Sequence, residues 1–208
     1  TAPYSTYLVT GFSCTVADQT YSGFLFGLVT VGGSGTTLTA ADITAAPEMT
    51  SHGPGLLFSS SAIAVTQLTP MAQDTFIDVP LGFTVTAGAA LLDDAALDVV
   101  GNVSGSGTGS VTETVSTLPS APIPPMQVGI SGAPPPPLSN VINFGPVPFV
   151  DVSTNIFVQV PSGTTGSATI TSITQEFSQV GVPEPASLAL FGSALAGLGL
   201  FPWRKRIR

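Results

Sequence analysis

Leu81-Gly82-Phe83-Thr84-Val85-Thr86-Ala87 alternates apolar residues with small or polar ones without a break. Successive side chains of an extended chain point to opposite faces. Leu81, Phe83, Val85 and Ala87 therefore share one face, and the pattern predicts a half-buried strand. Ile156, Val158 and Val160 repeat the pattern up to Pro161. In residues 21–31, Phe24, Phe26 and Leu28 occupy one parity while Leu25 and Val29 occupy the other, which predicts a strand buried on both faces. Further strands are expected over residues 4–12, 56–68, 110–118, 148–152 and 168–180, whose β-branched residues suit a pleated surface. Between these runs lie Gly32-Gly33-Ser34-Gly35, His52-Gly53-Pro54-Gly55, residues 105–109 and residues 162–166, all rich in turn formers. Short strands at even spacing predict an all-β fold, an antiparallel β-sandwich of jelly-roll-like or Ig-like kind. One short helix is expected over residues 87–99, where Leu91, Leu92, Ala95 and Ala96 form an apolar stripe.

Residues 118–148 differ in kind. Pro122, Pro124, Pro125, the run Pro134 to Pro137, Pro146 and Pro148 crowd this stretch. Proline lacks the N–H that a sheet interior needs, so a Pro-rich polyproline II loop or arm is expected there, on the surface or docked on a partner.

Length and composition set the class. A chain of 208 residues can form one well-buried domain and a short appendage. Only 8% of residues are charged, against roughly 25% in an average soluble domain, so hydroxyls and amides must supply the polar surface. All four cations, Arg204, Lys205, Arg206 and Arg208, fall in the last five residues, and twelve carboxylates precede them. A body without Lys or Arg cannot neutralise phosphates, which excludes nucleic acid as a partner. It should resist anionic membranes as well, and divalent cations are its natural bridging partners. A single cysteine, Cys14, rules out an internal disulfide and reads as a small buried hydrophobe, with an intermolecular bridge as the alternative. The one histidine, His52, sits in a turn, and nothing in the spacing pairs it with Cys14. The start at Thr1, without Met or an apolar leader, fits a mature chain after signal-peptide removal.

The pattern changes at residue 182. Val182-Pro183-Glu184-Pro185 is followed by the uncharged residues 186–203 and then Arg204-Lys205-Arg206-Ile207-Arg208. Eighteen helical residues span about 27 Å, slightly less than the ~30 Å hydrocarbon core, so this is a marginal membrane helix ended by Pro202. Trp203 suits the interface, and the basic end would stay cytoplasmic. Ala189, Ser193 and Gly197 recur every fourth residue and form a small-residue face for helix packing.

This order of parts resembles the PEP-CTERM sorting signal of Gram-negative bacteria, with Pro183-Glu184-Pro185 as the motif. The resemblance covers residues 182–208 and implies recognition by an exosortase, a membrane-embedded processing enzyme. It implies an exported protein of the cell surface, exopolysaccharide or biofilm, associated with the membrane through its tail. Residues 14–24 also look like a segment common near the start of such proteins. The implied organisation is an extracellular body over residues 1–181 and a sorting signal over residues 182–208.

No catalytic residues are expected. Asp93, Asp94 and Asp98 form the densest acidic patch; on a helix Asp94 and Asp98 would share a face and could hold calcium weakly, although the usual Asp/Gly loop pattern is missing. A solvated face is the plainer reading. Asp74 and Asp78 could in principle pair as glycosidase carboxylates. The Gly-rich residues 101–110 lack the Lys of a phosphate loop and read as a hairpin. Two readings of the body result. One is a non-enzymatic structural protein of the surface or matrix, without a cofactor, which could assemble with itself into a filament or sheath. The other is an exopolysaccharide-binding module, to which the scarcity of Tyr (3) and Trp (1) is a counter-argument.

Overall fold

The computed structural model describes residues 1–117, 123–131 and 138–180. Among these described residues fourteen strands form two seven-stranded sheets, and every strand pairing within them is antiparallel. The expected sandwich is what the chain builds.

Sheet I runs in the order β1 (Ala2–Pro3), β5 (Thr44–Thr50), β6 (Gly53–Ser59), β14 (Gly166–Val180), β9 (Leu91–Gly105) and β12 (Ser139–Val147), with β7 (Ala64–Gln67) paired to β14. Sheet II runs β11 (Met126–Ser131), β10 (Thr108–Ser116), β13 (Phe149–Val160), β8 (Thr75–Thr86), β3 (Gln19–Phe26) and β2 (Ser13–Val16), with β4 (Thr30–Gly32) paired to β8. A one-turn helix, α1 (Tyr4–Tyr7), precedes them, and a single 3-10 turn covers Ala40–Asp42.

The opening heptapeptide lies in β8, near the middle of sheet II. Ile77, Val79, Leu81, Phe83 and Val85 all face the core, none more than 3% exposed. Their partners on β13, Val150, Val152, Thr154, Ile156 and Val158, are buried on the same face. The inner faces meet in one apolar cluster whose aromatic part joins Tyr4, Tyr7, Phe24, Phe58, Phe83 and Phe177. The space beside Ile43, Phe58, Ile156 and Ile170 measures only about 10 Å³, at the lower edge of what one water needs, so it offers no room for a ligand.

Four expectations need correction. Residues 87–99 are not helical: Leu91 opens the 15-residue strand β9, because pairing with β14 on one side and β12 on the other outweighs a local helical preference. A bulge at Asp93 shifts the parity, so that Leu92 and then Ala95, Leu97 and Val99 all point inward. The strand expected over residues 4–12 begins instead as α1, whose Tyr4 and Tyr7 plug the core edge. Residues 21–31 do not form one strand buried on both faces: β3 ends at Phe26, and Leu25 and Leu28 are 68% and 84% exposed. Finally, the Pro-rich residues 118–148 are not simply an arm, for β11 and β12 lie within them. Both are outermost strands, where an unpaired strand edge accommodates nearby prolines such as Pro124, Pro125 and Pro146.

Candidate functional site

The outer face of sheet II is the part of the molecule best arranged to hold a ligand. Strand parity sends Thr108, Ser110, Thr112, Thr114 and Ser116 of β10 outward, while Gly109, Val111, Glu113 and Val115 point in. On β13 the outward residues are Asp151, Ser153, Asn155, Phe157 and Gln159, and on β8 they are Phe76, Asp78, Pro80, Gly82 and Thr84. Register places these in rows. One row reads Gly32, Phe76, Gln159, Thr108 and Ser131; the next reads Thr30, Asp78, Phe157, Ser110 and Gly129. Five strands at ~4.8 Å spacing make a face about 19 Å across.

Two aromatic rings stand out against this polar ground. Phe76 and Phe157 take no part in the core cluster; they pack on each other, with centroids 5.9 Å apart and ring planes 34° from parallel. Phe76 leans over Gly32, where even a Cβ atom would come within 2.2 Å of the ring. Each ring is paired across the strands with a polar residue, Phe76 with Gln159 and Phe157 with Asp78. Gln159 donates from Nε2 to Asp74 Oδ2 at 3.0 Å, and Ser162 N donates to Asp74 Oδ1 at 2.7 Å, so Asp74 is committed to holding the end of β13. The Oδ1 atom of Asp78 is buried without a hydrogen-bond partner. The two aspartates weighed as a glycosidase pair thus differ in their surroundings.

The outer face of sheet I is acidic. One row across it reads Glu48, Gly55, Glu176, Ala96 and Val141, and Asp98 lies opposite Thr174 in the adjoining row. Glu176 is only 1% exposed although it is on the outer side of its strand, and neither carboxylate oxygen has a well-formed hydrogen bond. Burial pushes its carboxyl above the usual range; the nearby Thr50 hydroxyl and His52 oppose that, while Asp98 and Glu48 add to it. The expected calcium ligands are placed apart in role. Asp93 occupies the bulge and accepts from Ser178 Oγ at 3.0 Å, whereas Asp94 accepts from Ser178 N at 3.3 Å. Among the described residues no group of three or more His, Cys, Asp or Glu side chains could hold a metal ion.

Cys14 is half-buried beside Tyr21, and burial pushes its thiol up, which keeps it a poor nucleophile at neutral pH. His52 sits in the β5–β6 turn, its backbone N–H donating to Thr50 Oγ1 at 3.1 Å. The sorting motif Pro183, Glu184 and Pro185, the packing residues Ala189, Ser193 and Gly197, and the basic end Arg204, Lys205, Arg206 and Arg208 lie outside the described residues. Among the described residues no helix is long and apolar enough to cross a membrane.

Sequence reasoning missed the ring pair. The signal was present: Phe76-Ile77-Asp78-Val79 and Phe157-Val158-Gln159-Val160 each place a phenylalanine on the polar parity of an otherwise alternating strand. That the two strands are neighbours in this register is a tertiary fact.

Residues 181–206 match the family model described as the PEP-CTERM protein-sorting motif. The chain therefore carries that motif, which indicates an exported, surface-directed protein. No curated protein matches the chain. Among solved structures it is similar to TmCBM61 in complex with β-1,4-galactotriose, at 8% identity and a TM-score of 0.29, covering 76% of this chain and 90% of that one. A family 11 carbohydrate-binding module from Clostridium thermocellum in complex with a β-1,3-1,4-mixed-linked tetrasaccharide matches at 10% identity and a TM-score of 0.23, over 78% and 90% of the two chains. The enzymatically active domain of bacteriophage CBA120 tailspike protein 4 matches at 12% identity and a TM-score of 0.25, over 79% of this chain and 20% of that one.

Proposed function

We propose that this exported chain is a non-catalytic attachment module of the extracellular matrix, which binds exopolysaccharide through the outer face of sheet II. The observation that carries the reading is the hydroxyl and amide array on that face. The side chains of Thr108, Ser110, Thr112, Thr114, Ser153 and Asn155 point outward on adjacent strands, and among the described residues none is engaged in a side-chain hydrogen bond. Such groups donate and accept at once, which is what a polymer of hydroxyls requires of a partner. The sorting tail supports the same reading, because it would deliver the module to the surface where such polymers lie, with an exosortase as its processing partner.

Affinity electrophoresis of the purified protein through gels containing soluble glycans tests the proposal. Retarded migration on at least one polysaccharide is the expected result. Unchanged mobility across a broad set of neutral and acidic glycans would refute the binding reading and return the body to a purely structural role.

A further inference from the structure

Resting on the polysaccharide reading above, we infer that Phe76 and Phe157 form a stacking platform for the apolar faces of neutral pyranoses, with Asp78 as the acceptor that orients them. Three observations converge. The first is that the rings are outside the core. A pair of phenylalanines on a polar face gains little from burial, yet the fold makes room for one of them by keeping position 32 free of a side chain. Phe76 spreads sideways over Gly32, and it and Phe157 are both only partly buried. The second is the spacing. Centroids 5.9 Å apart in planes 34° from parallel make a shallow, slightly bent surface rather than a stacked dimer. That separation is close to the repeat of consecutive sugars in an extended glycan, so each ring can underlie one sugar. Aromatic faces carry negative charge density and attract the C–H groups that line one side of a pyranose.

The third observation is Asp78, which stands directly across from Phe157. Its Oδ1 is sealed beneath the face, while its other oxygen, which accepts no hydrogen bond from the described residues, is the one a ligand can reach. A donor supplied by the ligand would satisfy that open oxygen. A sugar hydroxyl is such a donor. Gln159, in the next row, is held by Asp74 and offers its Oε1 beside Phe76.

Charge then selects among glycans. The body has no Lys or Arg before residue 204, and the platform has carboxylates at Asp74 and Asp78. A uronic-acid polymer would meet like charge with no cation to pair its carboxylates, so the platform suits neutral sugars.

The test compares mixed-linkage β-glucan, galactan and xylan with alginate and polygalacturonate in affinity gels. The native protein should be retarded by at least one neutral polymer and by neither acidic one. Phe76→Ala and Phe157→Ala should each weaken that binding about fivefold to tenfold, the size expected for one aromatic contact. Phe157→Leu keeps apolar bulk but removes the ring, so it should also weaken binding even if an alanine variant fails to fold. Should the native protein bind a neutral glycan while the ring variants, folded by circular dichroism, bind equally well, the platform is refuted and the parent reading survives. Preference for alginate or polygalacturonate refutes the neutral-sugar selection alone. Absence of binding to every polymer refutes both.

Discussion

Gln175 of β14 donates its side-chain amide across the sandwich interior to Glu113 Oε2 of β10, and the same nitrogen reaches Thr154 Oγ1 of β13. Glu113, Thr154 and Gln175 are each 0% exposed, so a carboxyl group sits between the sheets, and there is no Lys or Arg among the described residues. Glu113 Oε1 and Gln175 Oε1 have no partner. Burial pushes the Glu113 carboxyl up to about 8, against the smaller opposing effect of the Gln175 hydrogen bond. At neutral pH the group is therefore mostly protonated, and as a donor it can serve one of those bare oxygens.

The first prediction is a stability that depends on pH through this buried carboxyl. The folded value, about 8, lies above the ordinary 4.5. The contribution is thus complete below pH 4.5 and is lost as pH rises to about 8, where ionisation must occur inside the core. Across that window stability should fall by up to roughly 1.4 kcal/mol per pH unit from this group. Thermal unfolding from pH 4 to 9 should show Tm declining for the native protein and much less for Glu113→Gln. Equal slopes for the two proteins would refute the assignment.

A second polar tie joins the N-terminal strands to the last strand. Gln19 Nε2 donates to Phe177 O at 2.6 Å, and the Tyr21 hydroxyl lies 2.8 Å from Gln19 Oε1 and 2.9 Å from Pro54 O, so it can donate to either. Both residues are fully buried. Tyr21→Phe removes that buried donor, and a loss of about 1–3 kcal/mol is expected in urea unfolding. Gln19→Ala should cost at least as much, since it also strips a bond from Phe177.

Gly32 and Gly33 should respond differently to alanine. Gly33 has φ +58°, and a Cβ there would come within 2.8 Å of Asp74 O, so Gly33→Ala should lower stability through backbone strain. Gly32 has no such φ, and the first obstacle to a Cβ is the Phe76 ring. Gly32→Ala should therefore move the ring and weaken glycan retardation more than it lowers Tm. Measuring both quantities on both variants separates the two causes.

Glu176 should be a stability liability above neutral pH. Its carboxyl is raised by burial, with Asp98 and Glu48 adding to the repulsion, so the ionised form is disfavoured in the folded state. The stability it withholds returns as pH falls through the ordinary carboxylate range. Glu176→Gln is expected to raise Tm at pH 8 and to leave it nearly unchanged at pH 4; a lower Tm at pH 8 would contradict this account.

How far the sequence could be read depends on whether a signal is local. Alternation over residues 81–87 and 156–160 was decisive, because a period of two has one physical meaning when one face must be buried. Residues 87–99 misled, since Leu91, Leu92, Ala95 and Ala96 make as good a helical stripe as a strand interrupted by a bulge. Only the partners β14 and β12, from far along the chain, decide between them. Likewise proline density in residues 118–148 argued against sheet, but edge strands need only half of their backbone groups paired.

For the candidate site the division is sharper. That the body lacks cations, that its polar groups are largely hydroxyls and amides, and that residues 181–206 carry a sorting motif were all determined by the order of residues alone, because charge, composition and motif do not depend on folding. Which hydroxyls share a face was partly readable, through parity within one strand. That Phe76 stands 5.9 Å from Phe157, with Asp78 and Gln159 as their cross-strand partners, was decided by the register of β8 against β13. Register is set by burying all the inward side chains at once, Ile77 to Val85 on one strand and Val150 to Val160 on the other. The outer face inherits its pattern from that packing of the core.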